Sequence, residues 1–303
     1  MSKSAIFHSF LLVSVTTTGA TAQVFEEPVG FVGTQLNFSN ITETRSPDSQ
    51  QSYLPIVLEG QYAFPIFENG ILGATGYYSY AEWDENAVNF DEDFPERELR
   101  LSLHYSHAIT PDFRLGGFAA YSRSRLFGDD LQKESYETVY GGLEAQYFIG
   151  DSFMLFGQAG IGDSVALPPD QAMADPEGFI DGTFIRAGVT WFPVDSTAIS
   201  LDLERAQTNE YLDGGTDSGD FYSVGLSGET RLPTEAPLSL TYFVRRDFYK
   251  ISAGNIDLAD VTAGIGLRIL FGADTPRESW RNGRLLSAPR LPGRSVDWLE
   301  ALD

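Results

Sequence analysis

The stretch that most constrains the fold runs from residue 258 to residue 271 and has the sequence LADVTAGIGLRILF. Its odd-numbered positions from Val261 to Phe271 are all apolar, whereas the positions between them include threonine, glycine and arginine. This period of two is typical of a β-strand whose two faces meet different surroundings. In a soluble sandwich the apolar face packs on a protein core. In a barrel that spans a membrane it faces lipid, and the small or polar face lines the lumen.

The same alternation recurs about twelve times along the chain. We predict strands over residues 29–39, 53–66, 70–83, 96–109, 113–126, 135–149, 153–165, 179–192, 197–208, 220–232, 238–250 and 258–271. Every second connection is short and built from turn-forming residues, and the connections between these are longer and acidic. Short turns that alternate with long loops predict an all-β fold. It is a transmembrane antiparallel up-and-down β-barrel of about twelve strands, with short periplasmic turns and longer extracellular loops.

The amino terminus has the pattern of a secretory signal peptide. Lys3 precedes a mostly apolar run over residues 5–15, and Ala20-Thr21-Ala22 supplies the small residues of a cleavage site. We therefore predict a signal peptide over residues 1–22, the barrel over 23–271 and a periplasmic C-terminal tail over 272–303. The formal charge of −23 argues against a nucleic-acid partner. The absence of cysteine excludes thiolate chemistry and disulfides.

With its signal peptide, its alternating strands and a last strand, Gly264 to Phe271, that ends on an aromatic residue, the chain resembles bacterial outer-membrane β-barrel proteins. The resemblance implies location in the outer membrane, contact with its lipid and lipopolysaccharide, and recognition of Phe271 as an assembly signal by the barrel-assembly machinery. Such proteins commonly end at the terminal aromatic residue, whereas this chain continues. Its arginines and prolines predict a mostly extended tail, with a short helix capped by Ser295. Disorder, docking on a periplasmic partner and docking into the barrel mouth all remain open.

No catalytic residue, metal site or cofactor is predicted. His104 and Ser106 are similar to part of the motif of outer-membrane phospholipase A, but Leu103 and Tyr105 occupy the lipid face, so the histidine is expected to face the lumen as a structural residue. A resemblance to omptin proteases, barrels that use Asp and His near the extracellular rim, is not favoured, because no histidine falls in a predicted loop. The same absence argues against a lipid A deacylase. The acidic residues around Phe94 are expected to be a solvated loop rather than a calcium site. Bridging to lipopolysaccharide through divalent ions is a minor hypothesis.

Charged residues of both signs are predicted to point inward. The predicted pore-lining residues are Glu59, Arg100, His104, Arg114, Glu144, Arg186, Asp202, Glu204, Glu229, Arg231, Arg245 and Arg268. They either fill a closed barrel with ion pairs or line a hydrated bore. Inward glycines leave room, which favours a narrow porin-like channel for small hydrophilic solutes, with a mild cation preference from the acidic loops. The alternatives are a closed barrel that acts through its tail or acidic loops and, less favoured, an outer-membrane hydrolase with His104 as its candidate residue.

Overall fold

A single antiparallel sheet dominates the computed structural model, which describes residues 23–43, 50–82, 95–126, 135–164, 179, 181–209, 218–251 and 256–291. Strands that are consecutive in the chain are neighbours in the sheet, with one exception described below. The strands are β1 (Val29–Glu43), β2 (Gln50–Tyr53), β3 (Ile56–Ile66), β4 (Gly70–Glu82), β5 (Pro95–Thr110), β6 (Phe113–Leu126), β7 (Ser135–Ile149), β8 (Phe153–Ser164), β9 (Gly182–Val194), β10 (Thr197–Thr208), β11 (Gly219–Arg231), β12 (Leu238–Ile251) and β13 (Ile256–Phe271).

The sheet closes on itself because β1 pairs with β13, from Gly30 opposite Phe271 to Glu43 opposite Leu258. The other edge of β1 pairs with both β2 and β3. These two segments are one barrel strand, interrupted beside Pro55, which has no backbone N–H to donate. The result is a closed barrel of twelve strands, and the predicted fold class is confirmed.

The two faces of the strands differ as the period-two pattern predicts. On the outer face, Leu103 is 64% exposed and Ile265 is 55% exposed, in company with similar residues on nearly every strand. On the inner face, His104 is 1% exposed and Thr262 is 3% exposed. An apolar exterior of this extent is unsuited to water and forms the band that contacts lipid.

The short connections all lie at one end of the barrel, together with the start of β1 and the end of β13. They span residues 67–69, 111–112, 150–152, 195–196 and 232–237. Most residues of the predicted long loops, and the predicted signal peptide, lie outside the described residues. Within the described part of the chain, no helix is long and apolar enough to cross a membrane.

Beyond β13 the chain forms one short helix, α1 (Pro276–Arg281). Thr275 caps it by accepting a hydrogen bond from the Glu278 N–H at 3.2 Å, and the Glu278 carboxylate accepts one from the Asp274 N–H at 2.8 Å. Proline at the first helical position fits such a start. The sequence predicts a helix only after Ser295, which lies outside the described residues.

Candidate functional site: the barrel lumen

The lumen is occupied by the segment that follows β13, here called the tail (residues 272–291). Helix α1 covers the periplasmic turns, where Arg277 pairs with Asp195 at 2.7 Å and Arg281 pairs with Asp112 at 2.8 Å. Past the helix the chain has no regular secondary structure and continues into the barrel. The turns therefore hold the base of the tail through ion pairs.

Buried apolar residues inside the barrel form three clusters, and the tail contributes to each. Leu285 packs with a group on β1, β3, β4 and β5, and Leu286 packs with a group on β7 to β10. Ala288 and Leu291 pack in the third cluster, near the extracellular end. The wall residues around the tail include Ile71, Ala108, Phe118, Tyr140, Phe148, Met154, Phe156, Phe184 and Phe192. A water-filled bore would expose these side chains, so this interior is built around an occupant.

An ion-pair network links the tail to the part of the barrel wall formed by β3, β11 and β13. The Arg268 guanidinium contacts Glu59 and Glu229, each at 2.6 Å. The Glu229 carboxylate also pairs with Arg284 of the tail at 2.9 Å. Both arginines lie over the Phe31 ring, 4.0 Å and 4.7 Å from its centre. The network satisfies charges that would otherwise be costly to bury.

A second charged group lies on β9, β10 and β12. Arg245 pairs with Asp202 at 3.3 Å, and the Arg186 Nε lies 3.5 Å from the same carboxylate as a charge contact without hydrogen-bond geometry. Both carboxylate oxygens of Glu204 are buried without a hydrogen-bond partner among the described residues. A buried carboxylate requires compensation. The neighbouring arginines can offset the negative charge of Glu204, and water in the adjoining cavity can supply hydrogen bonds to it.

His104 belongs to a buried polar group that joins neighbouring strands. Its Nε2 lies 2.8 Å from the Ser102 Oγ, and its Nδ1 lies 3.0 Å from the Glu144 carboxylate. Gln158 donates to the same carboxylate, and Phe118 stacks on the imidazole ring. The order of atoms is that of an acyl-transfer triad. However, Ser102 is 4% exposed on a strand whose backbone N–H groups serve the sheet ladder, so in the part of the chain that the structure describes these groups do not form an oxyanion hole.

A cavity of about 270 Å³ remains beside the tail. It follows the tail from Trp280 to Arg290 and extends along β10 from Ala198 to Glu204. Charged side chains dominate its polar lining, and they are Arg100, Arg186, Arg245, Arg268, Arg284 and Arg290 together with Glu59, Asp202, Glu204 and Glu229. Charged groups from strands around most of the barrel, together with two arginines of the tail, therefore line this cavity.

Not every predicted lumen residue faces this cavity. His104 and Glu144 lie within the wall, and Arg114 lies beneath the tail, where it donates to the backbone carbonyls of Trp280 and Arg281. Arg231 lies at the periplasmic rim and donates to backbone carbonyls there. The remaining eight predicted residues line the cavity. Phe271 ends β13 at the periplasmic end, and its role as an assembly signal stays a prediction.

Sequence reasoning missed the residues that the tail brings into the lumen. Arg284 and Arg290 were noted only as charges of the tail, and Leu285 and Leu286 were not singled out. The pattern from Thr275 to Glu278 is a capping-box signal, with proline after the cap, and could have located α1. Nothing local in the sequence shows that the following residues fold back into the barrel.

The sequence matches no protein-family model and no curated protein. Among solved structures, the barrel is similar to the COG4313 outer membrane channel from Pseudomonas putida F1, with a TM-score of 0.62 and 12% identity over 85% of this chain and 100% of that one. The chain has an outer-membrane β-barrel fold. Weaker likenesses include the translocator domain of the autotransporter NalP from Neisseria meningitidis, with 12% identity over 81% and 89% of the two chains and a TM-score of 0.46. Another is the KdgM porin in complex with disordered oligogalacturonate, with 9% identity over 78% and 99% and a TM-score of 0.41.

The apolar exterior and the barrel fold together place the protein in the bacterial outer membrane. The short turns and the base of the tail then lie on the periplasmic side, and the long connections lie outside.

Proposed function

We propose that this barrel is a channel for passive diffusion of small hydrophilic solutes or ions across the outer membrane. The observation that carries the proposal is the charge-lined cavity beside the tail. Charged groups of both signs along a bore favour water over apolar solutes, and they stabilise ions that have lost part of their hydration. In this arrangement the tail acts as the inner wall of the pathway and limits its width.

The most similar fold named above belongs to a protein described as an outer membrane channel. That likeness supports a channel role at a coarse level. It does not specify the solute, which has to be argued from the residues of this lumen.

We further propose a mild cation preference that originates at the extracellular mouth. The long connections are rich in aspartate and glutamate, whereas six arginines and four carboxylates line the cavity. The bore itself therefore does not favour cations, and the acidic loops must supply the bias. Because salt screens exposed charges, the preference is expected to weaken as ionic strength rises.

Solute entry into reconstituted vesicles tests the channel proposal. Vesicles that contain folded protein are expected to admit small neutral and charged solutes and to exclude larger ones, because the tail narrows the bore. Vesicles with the same amount of folded protein that admit no solute above the protein-free background contradict it.

The tail also favours a second candidate, a closed barrel that acts through its tail or its acidic loops. Apolar contacts hold the tail in all three interior clusters, which is the arrangement expected of a permanent plug. Deleting residues 273–303 separates the candidates. A channel conducts with and without the tail, whereas a plugged barrel conducts only after the deletion.

A further inference from the structure

We infer that the chain crosses the outer membrane once more, through the lumen of its own barrel, so that Leu291 reaches the extracellular side. The contacts of the tail follow its sequence from one end of the barrel to the other. Helix α1 lies on the periplasmic turns, and the Ser287 carbonyl accepts a hydrogen bond from Arg186 within the wall. Leu291 lies beside Gly162 and Phe179, at the opposite end of the barrel.

The depth of Leu291 follows from the strands around it. Gly162 is ten residues along the chain from Ser152 in a periplasmic turn, and Tyr140 is ten residues from Gly150 in the same turn. Ten residues of a strand tilted by roughly 40° rise about 25 Å, which is the height of the apolar band of an outer-membrane barrel. The seven steps from Arg284 to Leu291 reach at most about 25 Å. The described tail therefore extends to the level of the outer leaflet surface.

The lumen provides matched partners for the tail backbone along this path. Three side chains donate to backbone carbonyls of the tail: Gln146 to Arg284 at 3.4 Å, Arg186 to Ser287 at 3.1 Å and Tyr140 to Pro289 at 2.9 Å. When the side-chain amide of Gln61 is turned so that its nitrogen faces the tail, it donates to the Leu285 carbonyl at 3.2 Å and accepts from the Leu285 N–H. These donors come from strands on different sides of the barrel. Because a buried carbonyl needs a hydrogen-bond donor, this set of contacts forms a specific binding site for an extended chain.

This position is opposite to the one that the sequence predicts, which is that residues 272–303 lie in the periplasm, with a possible periplasmic partner. If the chain continues outward from Leu291, a partner that recognises the residues beyond it encounters them at the cell surface. This inference does not depend on whether the barrel conducts.

Since the chain has no cysteine, single cysteines can report the side on which each position lies. Asp303→Cys places the label at the last residue of the sequence, twelve positions after Leu291. Glu235→Cys is exposed in a periplasmic turn, and Asn209→Cys is exposed at the extracellular end of β10. Each variant is expressed in the outer membrane, checked for heat-modifiable migration, and treated with a polyethylene-glycol maleimide too large to cross the membrane. Labelling is compared between intact and permeabilised cells.

We expect Asp303→Cys to be labelled in intact cells to the same extent as Asn209→Cys, while Glu235→Cys is labelled only after permeabilisation. Labelling of Asp303→Cys only after permeabilisation would overturn the inference, and so would failure to label it in either preparation. A second variant, Leu302→Cys, gives an independent position with the same expected result.

Discussion

Arg284 of the tail and Glu229 of β11 lie 2.9 Å apart, and both side chains are almost completely buried. The same Glu229 carboxylate receives Arg268 from β13 at 2.6 Å. One carboxylate therefore compensates two guanidinium groups and connects the tail to the barrel wall. This pair is a buried electrostatic link between them.

Glu229→Gln is expected to loosen the tail. Breaking a buried pair leaves the remaining charges uncompensated and typically costs about 3–5 kcal/mol. A tail that is held less tightly should expose its arginines more often. Trypsin should then cleave the chain after these arginines in folded, detergent-solubilised protein. Asp220→Asn is the matched control, because it removes one partner of the exposed Arg205–Asp220 pair and should change cleavage little. An unchanged tryptic pattern in Glu229→Gln contradicts the proposed role of the pair.

Leu286→Ala should weaken docking of the tail by about 2–5 kcal/mol, the usual cost of truncating a buried leucine. The side chain is 3% exposed and packs with Phe148, Met154 and Phe192. Leu286→Met preserves volume and should cost less than about 1.5 kcal/mol. The denaturant concentration at which trypsin first cuts the tail measures both effects. Equal midpoints for the two variants would show that this leucine does not anchor the tail.

Removal of residues 273–303 should widen the bore and raise single-channel conductance, since the tail fills much of the lumen. It should also lower barrel stability, because the apolar side chains beneath the tail lose their cover. The ratio of truncated to full-length conductance checks the first effect, and the temperature of heat modification checks the second. A truncated protein with the conductance of the full chain would mean that the tail does not occupy the pathway.

The lipid-facing band is tested at Leu103, which lies in the middle of β5 and is 64% exposed. Leu103→Arg places a charge against hydrocarbon and should cost about 2–4 kcal/mol near the bilayer midplane. Leu103→Ile retains an apolar side chain and should have little effect. Urea titration of folding into lipid vesicles measures the difference. Equal stabilities of the two variants would place this face outside the membrane.

The barrel was predictable because its signal is local and repeated. Period-two alternation identifies the faces of β5 and β13 directly, and the strict order of short and long connections fixes which end carries the turns. Parity also predicted that His104 faces inward. These inferences need no knowledge of distant contacts.

The path of the tail was not predictable in this way. Leu285 and Leu286 are adjacent in sequence and pack in two different clusters, as neighbouring side chains of an extended chain do. Because both sides are apolar, the alternation of apolar and polar residues that marks the barrel strands is missing. Whether these two leucines dock depends on wall residues more than eighty positions away in the sequence. The same limit applies to Arg114, whose inward direction was predicted but whose role beneath the tail depends on the carbonyls of Trp280 and Arg281.

If the barrel is a channel, solutes pass through the lumen beside the tail, and single-channel recording shows this. Refolded full-length protein in a planar bilayer, at low and high salt and with an ion gradient, is expected to give small, stable conductance steps. The reversal potential should be biased toward cations, and this bias should weaken as salt rises. An absence of steps from folded, heat-modifiable protein would contradict the channel and leave a barrel closed by its own tail.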